Sequence, residues 1–176
     1  YVVHGRASAI EAPYSWVDVA NVRAFEALTG HLTGLGHRRI ALFNGIESLD
    51  FAHRRRTGFL NALTEAGLQA DPELMLSWDM TESYGFDEAS RMLARSEPPT
   101  AFAVSSLITA LGVRRAVEQA RLTVGRDVSV ATFDDDLSYL RNGTPEAPVF
   151  SGVRSSVREA GRRVGAILLS QISTPG

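Results

Sequence analysis

A chain of 176 residues with 44% hydrophobic content is long enough to bury a core, and its formal net charge of -2 gives no strong field for nucleic acid or an anionic membrane. All 18 basic residues are arginine and there is no cysteine. That excludes the phosphate-binding loop that needs a lysine, Schiff-base chemistry, thiol nucleophiles, disulfides and thiolate metal sites.

The chain opens on Tyr1-Val2-Val3-His4, which reads as the middle of a strand and implies a longer protein around it. Beyond it, short apolar runs alternate with longer segments of helical period, the pattern of βαβ units and a mostly parallel sheet. Strands are expected near residues 1–4, 39–43, 73–77, 100–104, 127–133 and 148–150. A first helix over 21–35 carries Phe25, Leu28, Leu32 and Leu35 on one stripe and stops at Gly36. A second, over 50–66, carries Phe59, Leu60 and Leu63; a third begins near Thr81 and carries Phe86, Ala89, Met92 and Leu93. A fourth covers 106–120, and the last, over 156–172, carries Val157, Val164, Ile167 and Leu168 before the terminal Ser173-Thr174-Pro175-Gly176. No apolar run reaches transmembrane length, and the first residues lack the succession of an export signal.

Right-handed crossovers between parallel strands place helices on both faces, which predicts an α/β fold: a three-layer αβα sandwich around a doubly wound sheet. Ligands bind such sheets outside the carboxyl ends of the strands. The loops after 43, 77, 104 and 133 share that edge and should bring together Arg55, Trp78, Ser106 and Asp134.

Arg54, Arg55 and Arg56 lie in the first turns of their helix, where the macrodipole disfavours cations and calls for partners. Arg55 stands four residues before the buried Phe59, so it is the one expected to project toward the strand ends. Asp134 follows directly on a buried strand, with Asp135 and Asp136 farther into the loop. The acidic run lacks the spacing of a calcium loop, the four histidines lack zinc spacing, and neither a Gly-x-Ser-x-Gly nucleophile frame nor a GxGxxG turn occurs. No catalytic residue, metal or cofactor is therefore expected. An arginine, an aspartate and small hydroxyls, with Trp16 or Trp78 as an apolar platform and Arg6 as a further candidate, suit a neutral polyhydroxylated ligand.

Five stretches then resemble the LacI/GalR-type bacterial transcriptional repressors in their effector-binding region: Leu35-Gly36-His37-Arg38-Arg39-Ile40-Ala41, Arg55 to Phe59 with Gly58, Pro98-Pro99-Thr100-Ala101, Ala110-Leu111-Gly112, and Asp127-Val128-Ser129-Val130 through Phe133-Asp134-Asp135. They occur in that family's order and cover nearly the whole chain. The resemblance implies a fold like the type I periplasmic sugar-binding proteins, with two subdomains around a cleft, mainly the C-terminal one being present here. It assigns 1–18 to a remnant of the N-terminal subdomain and crossover, 19–150 to the effector-binding subdomain, and 151–176 to a return crossover and helix. Family effector contacts map to Arg55, Asp134 and an aromatic near Trp16. The family's usual Asn-Asp pair is Ser106-Leu107 here, its Asp-Asn pair is Ala20-Asn21, and its ring contact falls on Met80 or Trp78.

The resemblance implies a cytoplasmic, homodimeric repressor, not an enzyme. It would bind a small sugar-like effector and meet operator DNA only through a helix-turn-helix headpiece absent from this chain, without membrane contact. A periplasmic sugar-binding protein of a transporter is the alternative. The apolar stripe of the last helix, left without its subdomain, should drive self-association or leave that helix poorly ordered.

Overall fold

A computed structural model of the chain describes residues 1–6 and 13–173. Residues 7–12 of the expected 1–18 segment, and 174–176 of the terminal Ser-Thr-Pro-Gly, lie outside the described residues.

The central strands of the large sheet follow from sequence runs that are apolar on both faces. Its five parallel strands are β3 (Ile40–Asn44), β4 (Met75–Ser77), β5 (Ala101–Val104), β6 (Ser129–Asp134) and β7 (Ser151–Arg154), in the order β4-β3-β5-β6-β7. Along β3 the side chains alternate between two cores: Ala41 and Phe43 enter one, Ile40 and Leu42 the other. The same split separates Phe102 and Val104 from Ala101 and Ala103 on β5. A strand buried on both faces needs a helix layer on each, and the chain supplies them. Helices α1 (Asn21–Gly34) and α2 (Asp50–Glu65) pack together on one face; α3 (Glu82–Leu93) and α4 (Leu107–Gln119) pack together on the other. The three-layer α/β sandwich expected from the alternating pattern is the observed fold.

Outside the large sheet, β1 (Val2–His4) and β2 (Ser15–Val17) form a small parallel sheet on which α5 (Val157–Ser173) packs. Gln171 Nε2 donates to Ser15 Oγ at 2.6 Å. Strand β2 is absent from the sequence reading because three residues following Pro13-Tyr14 are too few to show a period. The last strand of the large sheet begins at Ser151, later than the expected 148–150, because only Phe150 of that run is buried and Asn142 ties it to the preceding loop. Helix α5 is continuous to Ser173; of its expected stripe Val164 and Ile167 are half-buried while Val157 and Leu168 are exposed, as are Leu169 and Ile172.

Leu35 is a further departure: it caps α1 from the solvent side and does not join the buried stripe. Gly36 then takes a φ of +94°, a conformation costly for any residue with a Cβ. The turn delivers His37 to the amino edge of the sheet. There its ring nitrogens lie 2.9 Å from Thr100 Oγ1 and 2.8 Å from Ser129 Oγ, joining the entrances of β5 and β6. Desolvation, with His31 nearby, lowers the His37 pKa. This end of the sheet is fastened by structure; the opposite end holds the polar groups that remain.

Candidate functional site

Strand order reverses between β3 and β5, so the crevice outside their carboxyl ends is the switch point of the sheet. Each strand delivers one polar residue there. Asn44 closes β3 and Ser105 follows β5, with Ser105 Oγ donating to Asn44 Oδ1 at 2.7 Å and Asn44 Nδ2 donating to Ala52 O at 2.8 Å. These bonds lock the first turn of α2 against the switch point.

That lock sets Arg55. Its Nη1 donates to Ser105 O at 2.6 Å and its Nε to Asn21 Oδ1 at 2.9 Å. Its guanidinium lies 3.9 Å from the centre of the Phe133 ring and 4.9 Å from that of Phe51. The residue is only 5% exposed, and burial pulls its pKa down to about 10, opposed by the charges of Asp135 and Asp18. It stays protonated at neutral pH, and among the described residues Nη2 has no hydrogen-bond partner. Its neighbours are spoken for: Arg54 pairs with Asp18 at 3.4 Å and Asp50 at 3.2 Å, and Arg56 with Glu47 at 3.1 Å. Of the three arginines, Arg55 is thus the one turned to the strand ends.

Asp134, the last residue of β6, is buried, and its Oδ1 accepts the Asp136 N–H at 2.9 Å. Asp136 has φ +55°, a strain this turn supports. Its carboxylate pairs with Arg154 of β7, at the rim of a cavity of about 460 Å³ lined also by Asp134, Arg141 and Arg158. Asp135 is half-buried within electrostatic reach of Arg55, Asp134 and His4; desolvation raises its pKa, Arg55 opposes the rise, and Asp134 adds to it. Local spacing does not single out Asp135 from its acidic run or His4 from the other histidines, since only the fold brings His4, the last residue of β1, within electrostatic reach of Asp135.

Ser106 lies beside this group, but its hydroxyl serves α4. It accepts the Thr109 N–H at 3.3 Å and donates to Thr109 Oγ1 at 2.9 Å, as a helix N-cap does. Trp78 stands elsewhere: 66% exposed, it lines a separate depression of about 450 Å³ with Leu76, Tyr84, Asp87 and Arg91. Met80 is the residue near the crevice, because a Cβ on Gly45 would lie 3.5 Å from its Sδ and 3.0 Å from the Phe51 ring. Trp16, on β2, pairs with Arg6, two residues past the end of β1, the guanidinium 4.6 Å from the ring centre. The structure therefore sets Arg55 at the switch point with Asp135, Phe51 and Met80 nearby, while Ser106 opens α4 next to Ser105 and Asp134 closes β6 at the rim of the cavity of about 460 Å³. No group of three or more His, Asp or Glu side chains among the described residues is placed to hold a metal ion.

A family model for the periplasmic binding protein-like domain matches residues 29–176. The chain belongs to this family. Among curated relatives, the HTH-type transcriptional regulator AglR of Rhizobium meliloti (strain 1021) is 42% identical over 176 residues, covering 100% of this chain and 49% of that protein. The HTH-type transcriptional repressor CytR of Escherichia coli (strain K12) is 29% identical over 157 residues, 89% of this chain and 45% of that one. Among solved structures, a LacI-family regulatory protein from Chloroflexus aggregans superposes with a TM-score of 0.85 at 28% identity, covering 98% of this chain and 60% of that one. The transcriptional regulator CelR–cellobiose complex superposes with 0.86 at 28% identity, covering 98% and 52%. This periplasmic binding protein-like domain is the effector-binding region of a LacI-type regulator, and it spans about half the length of the curated relatives it matches. Those relatives are transcriptional regulators, not enzymes.

Proposed function

We propose that this domain senses a small saccharide for a cytoplasmic, dimeric repressor, whose contact with operator DNA lies in a headpiece outside this chain. The observation that carries the reading is Arg55: a buried guanidinium fixed at two nitrogens and stacked on Phe133, with Nη2 left for a ligand. Asp134 and Asp135 supply acceptors for hydroxyls, Arg55 supplies the donor, and Met80 and Phe51 supply apolar surface for a sugar ring. Ser106, which opens α4 beside Ser105, and Trp16 with its paired Arg6 complete the set of ligand contacts in this reading. Residues 1–18 and 151–176 belong in this reading to the second subdomain and its crossovers, and 19–150 to the effector-binding one.

A saccharide bound between the two would favour one closure of the pair, and that bias would reach the DNA-binding headpiece. The CelR structure, solved with cellobiose, supports a saccharide as the ligand class, and the names of the relatives favour a repressor over a transporter component. Isothermal titration of the intact regulator against cellobiose, maltose, sucrose, trehalose and their monosaccharides tests it. Binding by at least one sugar, abolished or strongly weakened in Arg55→Met and Asp134→Asn, is expected. Unchanged binding in both variants would remove these residues from the site, and failure of every sugar would overturn the ligand class.

A further inference from the structure

The hydrogen bonds around Arg55 continue past it. Asn21, the first residue of α1, is 2% exposed and accepts the Arg55 Nε–H through Oδ1. Its Nδ2 donates to Val19 O at 3.2 Å and to Asp18 Oδ1 at 3.4 Å. With both acceptors on the amide nitrogen side and a guanidinium on the other, the amide has one satisfactory orientation. Asp18 follows directly on β2, takes the Val19 N–H at 2.8 Å, and is paired through Oδ2 with Arg54. Ala20, at the N-cap of α1, has no side chain to offer, so Asp18 and Asn21 together fasten the segment entering the helix.

From these contacts we infer that Asn21 is the positioning residue of Arg55, and that the Asp18–Asn21 pair ties the guanidinium's orientation to the segment joining the small sheet to α1. A shift of Arg55 toward a ligand pulls on Asn21 Oδ1, and the amide, rigid and buried, passes that pull to Asp18 at the end of β2. Residues 18–21 thereby register the state of the site in the connection between the two sheets. The second half of this inference rests on the saccharide-sensing reading above; the first does not.

Two substitutions separate the links. Asn21→Ala removes the acceptor for Arg55 Nε–H. Asn21→Asp retains an acceptor but replaces the donor to Asp18 with a second carboxylate. The experiment follows proton exchange at the Arg55 Nε–H by arginine-selective ¹⁵N NMR on the intact regulator without ligand, the resonance being assigned by its loss in Arg55→Met. Exchange about tenfold faster in Asn21→Ala, and within about threefold of wild type in Asn21→Asp, is expected from the loss and retention of one buried bond. Equal exchange in wild type and a folded Asn21→Ala would overturn the positioning role. Should Asn21→Ala not fold, Asp18→Ala, which leaves Asn21 in place, should still speed exchange by about threefold, and no change would overturn the link to Asp18.

The regulatory half is read by amide hydrogen exchange over residues 15–21 with a saturating sugar from the panel. Slowing in wild type, lost in Asn21→Asp, is expected; identical slowing in both would overturn the coupling. If no sugar binds wild type, the ligand reading and the coupling fall with it, and the Nε–H measurement still decides whether Asn21 positions Arg55.

Discussion

Arg55→Met separates a residue that serves a ligand from one that holds the fold. In the folded chain, burial, partly offset by Asp135 and Asp18, brings its pKa down to about 10, which corresponds to about 3 kcal/mol of net penalty on the charged form that a neutral side chain would not suffer. Against that, the substitution leaves Ser105 O and Asn21 Oδ1 without a donor, at about 2 kcal/mol each. The two effects nearly cancel, and methionine keeps contact with Phe133, so a net loss of about 1 kcal/mol is expected. Effector binding should respond far more. A charge-assisted hydrogen bond is worth about 1.5–3 kcal/mol, an affinity loss of about 10- to 150-fold. Urea denaturation and calorimetric titration of the same samples give both numbers. A stability loss above about 4 kcal/mol with affinity unchanged would show that the guanidinium is a structural strut and refute the reasoning.

The remaining predictions concern groups around that site and the helix layer behind it. Met80→Ala should weaken sugar binding about tenfold, while Trp78→Ala, altering the separate depression, should leave it unchanged; calorimetric titration distinguishes them, and the reverse pattern would return Trp78 to the site. The folded chain holds the Asp135 pKa above its unfolded value, so the protonated carboxyl is favoured in the fold: its stabilisation is full below about pH 4 and is lost as pH rises through the folded pKa. Asp135→Asn should therefore gain stability over wild type as pH rises from about 4 to 7, and a difference in urea midpoint that is constant with pH would contradict this. Helices α3 and α4 approach through two glycines: a Cβ on Gly112 would lie 2.0 Å from Glu82 O, and one on Gly85 2.1 Å from Thr109 O. Gly112→Ala gains about 1 kcal/mol of helix propensity but must force backbone apart, so a net loss of about 2 kcal/mol and a melting temperature lower by about 4–8 °C are expected. A raised melting temperature would show that the helices separate freely.

Much of this was written locally. Strand β3 announces itself because Ile40 to Phe43 are all apolar and bounded by Arg39 and Asn44, a run that only a strand covered on both faces can use. The helix boundaries were legible for the same reason: Gly36 and Gly67 stand where the periodicity stops, and Thr81 and Ser106 where it starts. The prominence of Arg55 was legible too, through its spacing from Phe59, although α2 starts at Asp50 and so places it in the second turn, past the reach of the macrodipole argument.

What the sequence could not order was the neighbourhood of that arginine. Asn21 and Asp18 are 34 and 37 positions away, Ser105 is 50 away and Asp135 80 away, and periodicity within an element carries no information about which elements meet. Large aromatics suit sugar rings, yet the Trp78 side chain lines a separate depression and Met80 lies beside Phe51, an arrangement that periodicity does not reveal. Ser106 also uses its hydroxyl to cap α4, a role that depends on where that helix begins. The sequence alone determined the α/β alternation, the chemistries ruled out and the residue types available at the strand ends, since these depend on composition and local spacing. The tertiary structure decided which of them share the switch point, because that is fixed by the β4-β3-β5-β6-β7 order of the sheet and by buried hydrogen bonds between residues far apart in the chain.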